Sequence, residues 1–366
     1  MTTESTAAPT TRAWVDVDLG ALVRNGAALQ RHAGVPLVPM VKADAYGLGA
    51  VPCARALLAL QPHGFGVATV REVEELRAAG IRERIYVFSP LLPADFTAAR
   101  AAAAVPTLGD AASISAWVAS GGGTWHLAIE TGMHRAGLRW DCIGEIAELV
   151  RANPPEGAFT HFHSAERNDG SWELQEQRFL VALASLPERP ALLHAQNSGG
   201  IVRRGASPWS FVRPGVFLYG VGSGDGAQLQ PEPVVHVRAR VLEIHDLQDG
   251  DTVSYSATWR SVGSRRVATL GIGYADGYRR ALGNRGPALL HGQRTTVAGV
   301  VTMDMTMIDV TDLPCRVGDL VTLIGRHGGE VITVEEVAVV ADFMSPYEVL
   351  TGLRQRLPRI YHEAVA

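Results

Sequence analysis

The sequence predicts an α/β protein with two domains, a (β/α)8 TIM-type barrel followed by a C-terminal all-β domain. Short apolar strands alternate with helices over roughly 200 residues, which is typical of a parallel sheet with helical crossovers. About eight such units favour a closed barrel over an open, doubly wound sheet. Beyond residue 231, short alternating segments interrupted by glycine and aspartate indicate a β-rich second domain.

The barrel elements follow from hydrophobic periodicity and from capping residues such as Asp18 and Thr69. The predicted strands cover residues 14–18, 36–41, 64–68, 85–88, 125–130, 159–163, 192–195 and 211–214. The predicted helices cover residues 19–32, 50–60, 70–79, 94–104, 110–120, 142–151 and 172–186.

The domain boundaries follow from the same patterns. We predict a flexible tail at residues 1–12, the barrel at residues 13–232 and the β domain at residues 233–366. In the β domain, strands are expected at residues 234–244, 251–255, 266–272, 295–301, 307–310 and 320–324, with one helix at residues 334–342.

Composition excludes several classes of protein. A net charge of −4 with 19% charged residues shows no electrostatic preference for nucleic acid or an anionic membrane. Cys53, Cys142 and Cys315 are too few and too far apart for a disulfide framework or a CxxC metal site. No apolar run is long enough to span a membrane, and the N-terminal tail lacks the features of a signal peptide. We therefore expect a cytoplasmic enzyme without a metal ion.

Lys42 is the only lysine among the 33 lysine and arginine residues of the chain. It stands where an apolar strand meets a glycine-rich turn. Arginine carries a surface charge equally well, but it cannot form a Schiff base. Burial also lowers the pKa of an ammonium group and leaves a nucleophilic amine. The retained lysine indicates covalent chemistry; the alternative is a structural lysine at a strand end.

Polar side chains lie at the ends of five predicted strands, where barrel enzymes carry their catalytic residues. They are Lys42, Arg135, His161, Asn197 with Ser198, and Arg213 with the following Gly215. Taken singly, a histidine such as His161 is more often a structural residue, and a segment such as that starting at Asn197 is more often a turn or helix cap. The backbone N–H groups of Ser198, Gly215 and Val216 suit a phosphate, which barrels often bind at their last strands. A nucleophilic lysine beside a phosphate site indicates pyridoxal 5′-phosphate (PLP) as the cofactor.

The chain resembles the two-domain alanine racemases along nearly its whole length. The most specific match, residues 41–49 (VKADAYGLG), is similar to the cofactor-lysine motif of that family. Further motifs follow in the expected order at residues 131–135 (TGMHR), 160–162 (THF), 197–198 (NS), 213–220 (RPGVFLYG), 253–255 (VSY), 271–277 (GIGYADG), 303–304 (MD), 347–348 (YE) and 356–359 (RLPR).

The resemblance implies a PLP-dependent racemase that interconverts L- and D-alanine. Lys42 would bind the cofactor and act as one base, and Tyr255 of the partner subunit would act as the other, which requires a homodimer. His161 and Arg213 would assist the tyrosine, and Arg213 would also face the pyridine nitrogen. Further cofactor contacts would come from Tyr46, Arg135, Asn197, Ser198, Gly215, Val216 and Tyr347. The substrate would meet Arg135, the backbone of Met303 and, at the entrance, Tyr274.

Three positions depart from the family pattern. Ala128 stands where the family usually has a carbamylated lysine that pairs with the arginine corresponding to Arg135; Glu130, on the same strand face, or a chloride ion are possible replacements. His134 replaces a usual glycine, and Val300 replaces a usual arginine near the entrance. A less cationic entrance predicts racemisation of serine or another small polar amino acid alongside alanine or in preference to it; the alternative is an ordinary alanine racemase that has compensated with chloride.

Two other functions share this kind of barrel. A barrel-type PLP-dependent amino-acid decarboxylase would need a Gly-Gly-Gly-type phosphate loop and a catalytic cysteine in the β domain, and Cys315 lies beyond the Met303–Asp304 motif. A non-catalytic PLP-binding protein of this type lacks the β domain, so the presence of Tyr255 and Tyr347 argues against it.

Overall fold

The computed structural model describes residues 10–223, 227 and 229–363. Most of the predicted N-terminal tail, residues 1–9, lies outside this range. The chain divides into two compact units. The first is Leu19–Glu232, and the second contains Pro233–Glu363 together with the strand Ala13–Asp18.

The first unit contains a parallel sheet closed into a barrel. Six strands pair in chain order: Gly64–Val67, Arg84–Val87, Ala104–Leu108, His126–Glu130, Gly157–Phe159 and Leu192–His194. Two extended segments close the ring, because Leu37 pairs with Val212, Met40 pairs with Gly66, and the Ser210 N–H donates to the Leu193 carbonyl at 2.8 Å. The short strand Leu138–Arg139 pairs at the side with His126–Glu130. The predicted barrel is confirmed.

The helices of this unit are Leu19–Ala33, Ala50–Leu57, Val70–Ala78, Phe96–Ala101, Ala111–Ala119, Ala147–Ala152, Ser171–Ala184 and Ser198–Arg204. Val70–Ala78 illustrates why they form. The Thr69 side chain caps its first turn in a capping box with Glu72, and Val70, Val73 and Leu76 place one apolar face in the core. Part of the barrel interior is an apolar cluster of Val38, Tyr86, Val105 and Phe211.

The strand Ala104–Leu108 is absent from the sequence prediction. It directly follows an alanine-rich helical run and contains Pro106, and both features argue against a central strand. In the structure all five residues are buried, and the strand pairs with both neighbours. Burial in the barrel therefore outweighs the local propensity.

The second unit is an all-β domain with two short helices, Val334–Val340 and Pro346–Thr351. Its strands are Ala13–Asp18, Val235–Leu247, Thr252–Val253, Trp259–Arg260, Arg265–Leu270, Pro287–Leu290, Gln293–Thr296, Thr306–Asp309, Leu320–His327, Glu330–Ile332 and Arg359–His362. The long strand Val235–Leu247 organises the sheet, because it pairs antiparallel with Ala13–Asp18, Arg265–Leu270 and Leu320–His327.

The predicted start of the barrel domain at residue 13 is wrong. Ala13–Asp18 pairs antiparallel with Val235–Leu247 and parallel with Arg359–His362, so this strand belongs to the β sheet of the second unit. Arg12 is also anchored there, with its guanidinium 3.5 Å from the buried Asp276 carboxylate. Within the described residues, no helix is long and apolar enough to cross a membrane.

Candidate active site

Lys42 opens an unusual turn at the end of the first barrel segment. The next four residues, Ala43 to Tyr46, have φ between 51° and 58° and form a left-handed helical turn. Such a conformation costs energy for every residue other than glycine, so other contacts must hold it in place. The Lys42 amine itself makes no hydrogen bond or ion pair to any described residue. Burial, then the charge of Arg135, lowers its pKa, while Glu72 acts in the opposite direction.

Glu72 holds the turn in place. Its carboxylate accepts the N–H of Ala43 at 2.6 Å, of Ala68 at 2.7 Å and of Thr69 at 3.0 Å. Asp44 adds a second anchor by accepting the Ala50 N–H at 2.7 Å. Thr69 is a helix cap predicted from the sequence, whereas Glu72 is not among the predicted residues. The Thr-x-x-Glu spacing of a capping box was the available signal.

Four of the predicted phosphate-binding residues lie together. The Ser198 hydroxyl accepts the Gly215 N–H at 2.9 Å. A Cβ added at Gly215 would lie 2.5 Å from the Tyr46 hydroxyl oxygen, so only glycine leaves room there. Asn197 caps the following helix by accepting the Gly200 N–H at 3.1 Å. Val216 directly follows Gly215 and begins a short 3-10 helix. The hydroxyls of Tyr46 and Ser198 therefore approach the Gly215 backbone closely, and hydroxyl and backbone groups of this kind suit a phosphate group.

Arg213 is buried among carbonyl groups and aromatic rings. One terminal nitrogen donates to the Thr160 carbonyl at 2.8 Å and the Ala195 carbonyl at 3.1 Å, and the other contacts Nδ1 of His194 at 2.6 Å. Burial, then the charge of Arg135, lowers the pKa of Arg213 to about 9, so the guanidinium stays charged at neutral pH. His194 did not appear among the predicted site residues, because a lone histidine inside an apolar strand carries no motif.

His161 is held neutral at the same end of the barrel. Burial, followed by the charges of Arg213, Arg135 and Lys42, lowers its pKa to about 3. No hydrogen bond joins the imidazole to Arg213 within the described residues. The interaction between the two is therefore electrostatic here.

A cavity of about 300 Å³ lies beside Ala128. Its lining includes Arg135, Glu130, His161 and Met133. Glu130 accepts the Gly132 N–H, and no ion pair joins it to Arg135 among the described residues. The suggestion that Glu130 replaces the carbamylated lysine as the partner of Arg135 is therefore wrong for this structure. His134 has a φ of 53°, which explains why glycine is the usual residue at this position.

The β unit carries the other predicted residues. Tyr255 is 67% exposed and borders a cavity of about 520 Å³ with Ser254, Thr302 and Met305. The Ser254 hydroxyl donates to the Val300 carbonyl at 2.7 Å. The backbone around Met303 is joined to Tyr274, whose N–H donates to the Thr302 carbonyl at 3.0 Å. Tyr347, which is 45% exposed, lies on the helix Pro346–Thr351.

A barrel with a single lysine at a strand end and hydroxyl groups that converge on a glycine backbone, followed by a β domain with exposed tyrosines, is typical of a class of PLP-dependent enzymes. Family models give the particular family. Residues 17–223 match the alanine racemase N-terminal domain, and residues 234–361 match the alanine racemase C-terminal domain. The chain belongs to the alanine racemase family, whose members are PLP-dependent racemases.

Known proteins resemble the chain over its whole length. An alanine racemase of Symbiobacterium thermophilum is 39% identical, with 95% of this chain and 96% of that protein covered. The crystal structure of alanine racemase from Bacillus anthracis with bound L-Ala-P is 30% identical, with a TM-score of 0.90 over 98% of this chain and 97% of that one. The alanine racemase of Bartonella henselae, with covalently bound pyridoxal phosphate, is 29% identical, with a TM-score of 0.88 over 96% of this chain and 100% of that one.

Proposed function

We propose that the protein interconverts L- and D-alanine with PLP attached to Lys42, using Lys42 and Tyr255 of the partner subunit as its two bases. The observation that carries this proposal is the position of the only lysine. Its amine makes no bond to the described residues, its pKa is lowered by burial, and it stands at a strand end in the same unit as the hydroxyl and backbone groups of Tyr46, Ser198 and Gly215.

The residues present fit the cofactor. Tyr46, Ser198, Gly215 and Val216 offer hydroxyl and backbone groups for its phosphate. Asn197 fixes the turn before Ser198, because its amide donates to the Phe162 carbonyl at 3.1 Å. From the β domain, Tyr347 would add a further hydroxyl to the phosphate site.

When bound, PLP supplies an electron-withdrawing ring that makes the α-proton of an amino acid acidic. Racemisation then needs a base on each face of the α-carbon. Lys42 moves the proton on one face, and its lowered pKa makes the neutral amine available. Tyr255 of the partner subunit moves the proton on the other face. The neutral His161 and the charged Arg213 would assist it.

Arg213 determines the behaviour of the ring nitrogen. A guanidinium group only donates hydrogen bonds, so a pyridine nitrogen facing it remains an unprotonated acceptor. With a pKa of about 9, Arg213 keeps its charge at neutral pH. An unprotonated ring withdraws electrons less strongly, which favours return of the proton over side reactions such as transamination.

The β unit supports a homodimer. Tyr255, Met303, Met305 and Tyr347 are exposed by 67%, 53%, 44% and 45%, so each leaves large side-chain surface that a partner subunit would bury. A second subunit would cover them and bring Tyr255 of the partner subunit to Lys42. The substrate carboxylate would meet Arg135 and the Met303 backbone, and Tyr274 would border the entrance.

The cavity beside Ala128 supports a broader substrate range. Arg135 makes no hydrogen bond or ion pair to any described residue, so its guanidinium is free to adjust. A hydroxyl-bearing side chain or an anion would find polar neighbours in Arg135 and His161. We therefore propose that serine, or another small polar amino acid, is racemised as well as alanine.

Two measurements test these proposals. Chiral chromatography of L-alanine incubated with the loaded enzyme should show D-alanine, and absence of the D-enantiomer would refute the activity. For specificity, kcat/KM is compared between L-alanine and L-serine, with and without chloride, in wild type and Ala128→Lys. A wild-type preference for alanine above about a thousandfold, unchanged in Ala128→Lys, would refute the broader range. An apolar pocket by itself discriminates between substrates that differ by one methylene or one hydroxyl by only about 10–200-fold.

A further inference from the structure

A chain of buried polar contacts leads from Arg213 to the opposite end of the barrel. Arg213 contacts Nδ1 of His194 at 2.6 Å, and Nε2 of His194 lies 2.9 Å from Nδ1 of His126. Nε2 of His126 lies 3.4 Å from a carboxylate oxygen of Glu156, a longer contact that no other described partner replaces. Both imidazoles are fully buried, and Glu156 is partly exposed just before the strand Gly157–Phe159.

The chemistry of Arg213 determines which nitrogen donates and which accepts in each of these contacts. A guanidinium can only donate, so Nδ1 of His194 must accept and its Nε2 must carry the proton. That proton is donated to Nδ1 of His126, whose own proton therefore lies on Nε2, facing Glu156. Burial and then the charge of Arg213 lower the pKa of His194, so a protonated imidazole there is disfavoured.

Aromatic packing fixes the orientation of the two imidazoles. The Phe159 ring lies parallel to His194 within 4°, with centroids 5.0 Å apart, and Phe211 stacks on His194 at 4.3 Å. Tyr86 packs edge-on against His126 at 5.0 Å. Gly157 leaves space for His126, since a Cβ there would lie 2.3 Å from its ring. Neither ring has room to turn its nitrogens to other partners.

The series of polar contacts ends at Glu156, whose carboxylate is ionised at neutral pH. The contact with His126, with a further contribution from Arg84, lowers the pKa of Glu156 to about 2. Within the described residues, Arg213 has no carboxylate in contact with it. Glu156 is therefore the negative charge that this series of polar contacts offers to the buried guanidinium.

We propose that His194, His126 and Glu156 are positioning residues that hold Arg213 as an oriented donor toward the cofactor ring. The proposal rests on the function proposed above for Arg213. Glu156 sets the proton positions of both imidazoles, and His194 then presents Arg213 with a lone pair. Without Glu156, the opposite arrangement of protons becomes accessible, in which His194 turns an N–H toward Arg213 and displaces it.

The test compares three variants of the loaded enzyme. Glu156→Leu removes charge and acceptor, Glu156→Gln removes the charge only, and Arg84→Gln removes the outer member of the Arg84–Glu156 ion pair as a control. We expect kcat for alanine to fall roughly 10-fold in Glu156→Leu with KM nearly unchanged, the lower end of what a hydrogen bond to a charged group contributes. Glu156→Gln should be intermediate, and Arg84→Gln should match wild type. Equal losses in Arg84→Gln and Glu156→Leu, or no loss in either, would overturn the proposal.

A readout independent of activity is the ¹⁵N spectrum of enzyme labelled at histidine. His126 and His194 signals are identified by their loss in His126→Asn and His194→Asn. In wild type both should carry the proton on Nε2 and none on Nδ1, and Glu156→Leu should show a mixture. A proton on Nδ1 of His194 in wild type would refute the proposal even if the enzyme racemises alanine. An inactive enzyme with the expected spectrum would instead refute the proposed function alone.

Discussion

At the scale of single residues, charge and space explain the site better than sequence motifs do. Lys42, Tyr46, Ser198 and Gly215 could be predicted because each stands in a recognisable motif at a strand end. His194 and Glu156 could not, because their proposed roles depend on partners distant in sequence, such as His126, 68 positions from His194. Periodicity identifies buried positions, but it does not show which buried polar groups face one another.

The pKa of Lys42 provides a first prediction. Arg135 lowers it, so Arg135→Met should raise it toward the ordinary value and reduce the fraction of free amine at neutral pH, about tenfold for each pKa unit. Covalent capture of PLP by the apoenzyme should become slower at pH 7.5, and its pH profile should move to higher pH. Stopped-flow absorbance measures this rate. Arg139→Met, at a surface arginine paired with Asp141, is the control. A profile that stays in place in Arg135→Met would contradict the electrostatic account.

The space at Gly215 provides a second prediction. A Cβ added at Gly215 would lie 2.5 Å from the Tyr46 hydroxyl oxygen, so we expect Gly215→Ala to act through contact with that hydroxyl. We expect PLP affinity to fall by about 1–3 kcal/mol, the usual cost of overpacking. Tyr46→Phe in the same chain should relieve the contact and recover part of the loss. Gly144→Ala is the control, because nothing lies within 4 Å of a Cβ there. Equilibrium titration with PLP checks all four proteins, and equal losses at both glycines would disprove the steric explanation.

At the scale of elements, the predicted number of barrel strands was right for a partly wrong reason. The strand Ala13–Asp18 was counted in the barrel although it belongs to the β sheet, and Ala104–Leu108 was missed. The first error arises because an apolar alternating strand followed by a helix reads as a βα unit, whereas its pairing partner is more than 200 residues away. The second arises because Pro106 and neighbouring alanines hide a buried strand. Local patterns therefore predicted the fold class, but they did not predict the sheet to which every strand belongs.

The left-handed turn after Lys42 gives a prediction for one element. Glu72→Ala removes the acceptor for the N–H groups of Ala43, Ala68 and Thr69. Stability should fall by about 1–2 kcal/mol in urea unfolding, as for loss of a helix cap, and PLP affinity should fall too because Lys42 is less well placed. Thr69→Ala removes only the cap at the Glu72 N–H, so it should reduce stability by about 1 kcal/mol and leave PLP affinity unchanged. Equal effects of the two variants on PLP affinity would show that the turn does not position Lys42.

At the scale of the whole molecule, each unit carries only part of the predicted site. The barrel holds Lys42, Arg135, His161 and Arg213, and the β unit holds Tyr255, Tyr274, Met303 and Tyr347. The proposed mechanism therefore uses residues of both units, and we propose that the second base is supplied by a partner subunit. The family could be predicted from sequence because its motifs extend through both domains. The substrate range stays a prediction, because we propose that it depends on the cavity at Ala128.

Removing one hydroxyl isolates the role of the second base. Tyr255→Phe should bind PLP normally, because it removes one hydroxyl that we assign to proton transfer and not to cofactor binding. Its racemisation rate should fall by roughly 10²–10⁴-fold, the usual contribution of a positioned general base. Lys42→Ala should lose covalent PLP and all racemisation. Retained covalent PLP in Lys42→Ala would contradict the assignment of the cofactor to this lysine.

Mixing these two inactive variants tests the central claim most directly. After subunit exchange, each heterodimer of Lys42→Ala and Tyr255→Phe should contain one intact site, so random mixing should restore about a quarter of the wild-type rate of D-alanine formation. Exchange is verified by separating heterodimers with two different affinity tags. No recovered activity in purified heterodimers would contradict a site built from Lys42 of one subunit and Tyr255 of the partner subunit.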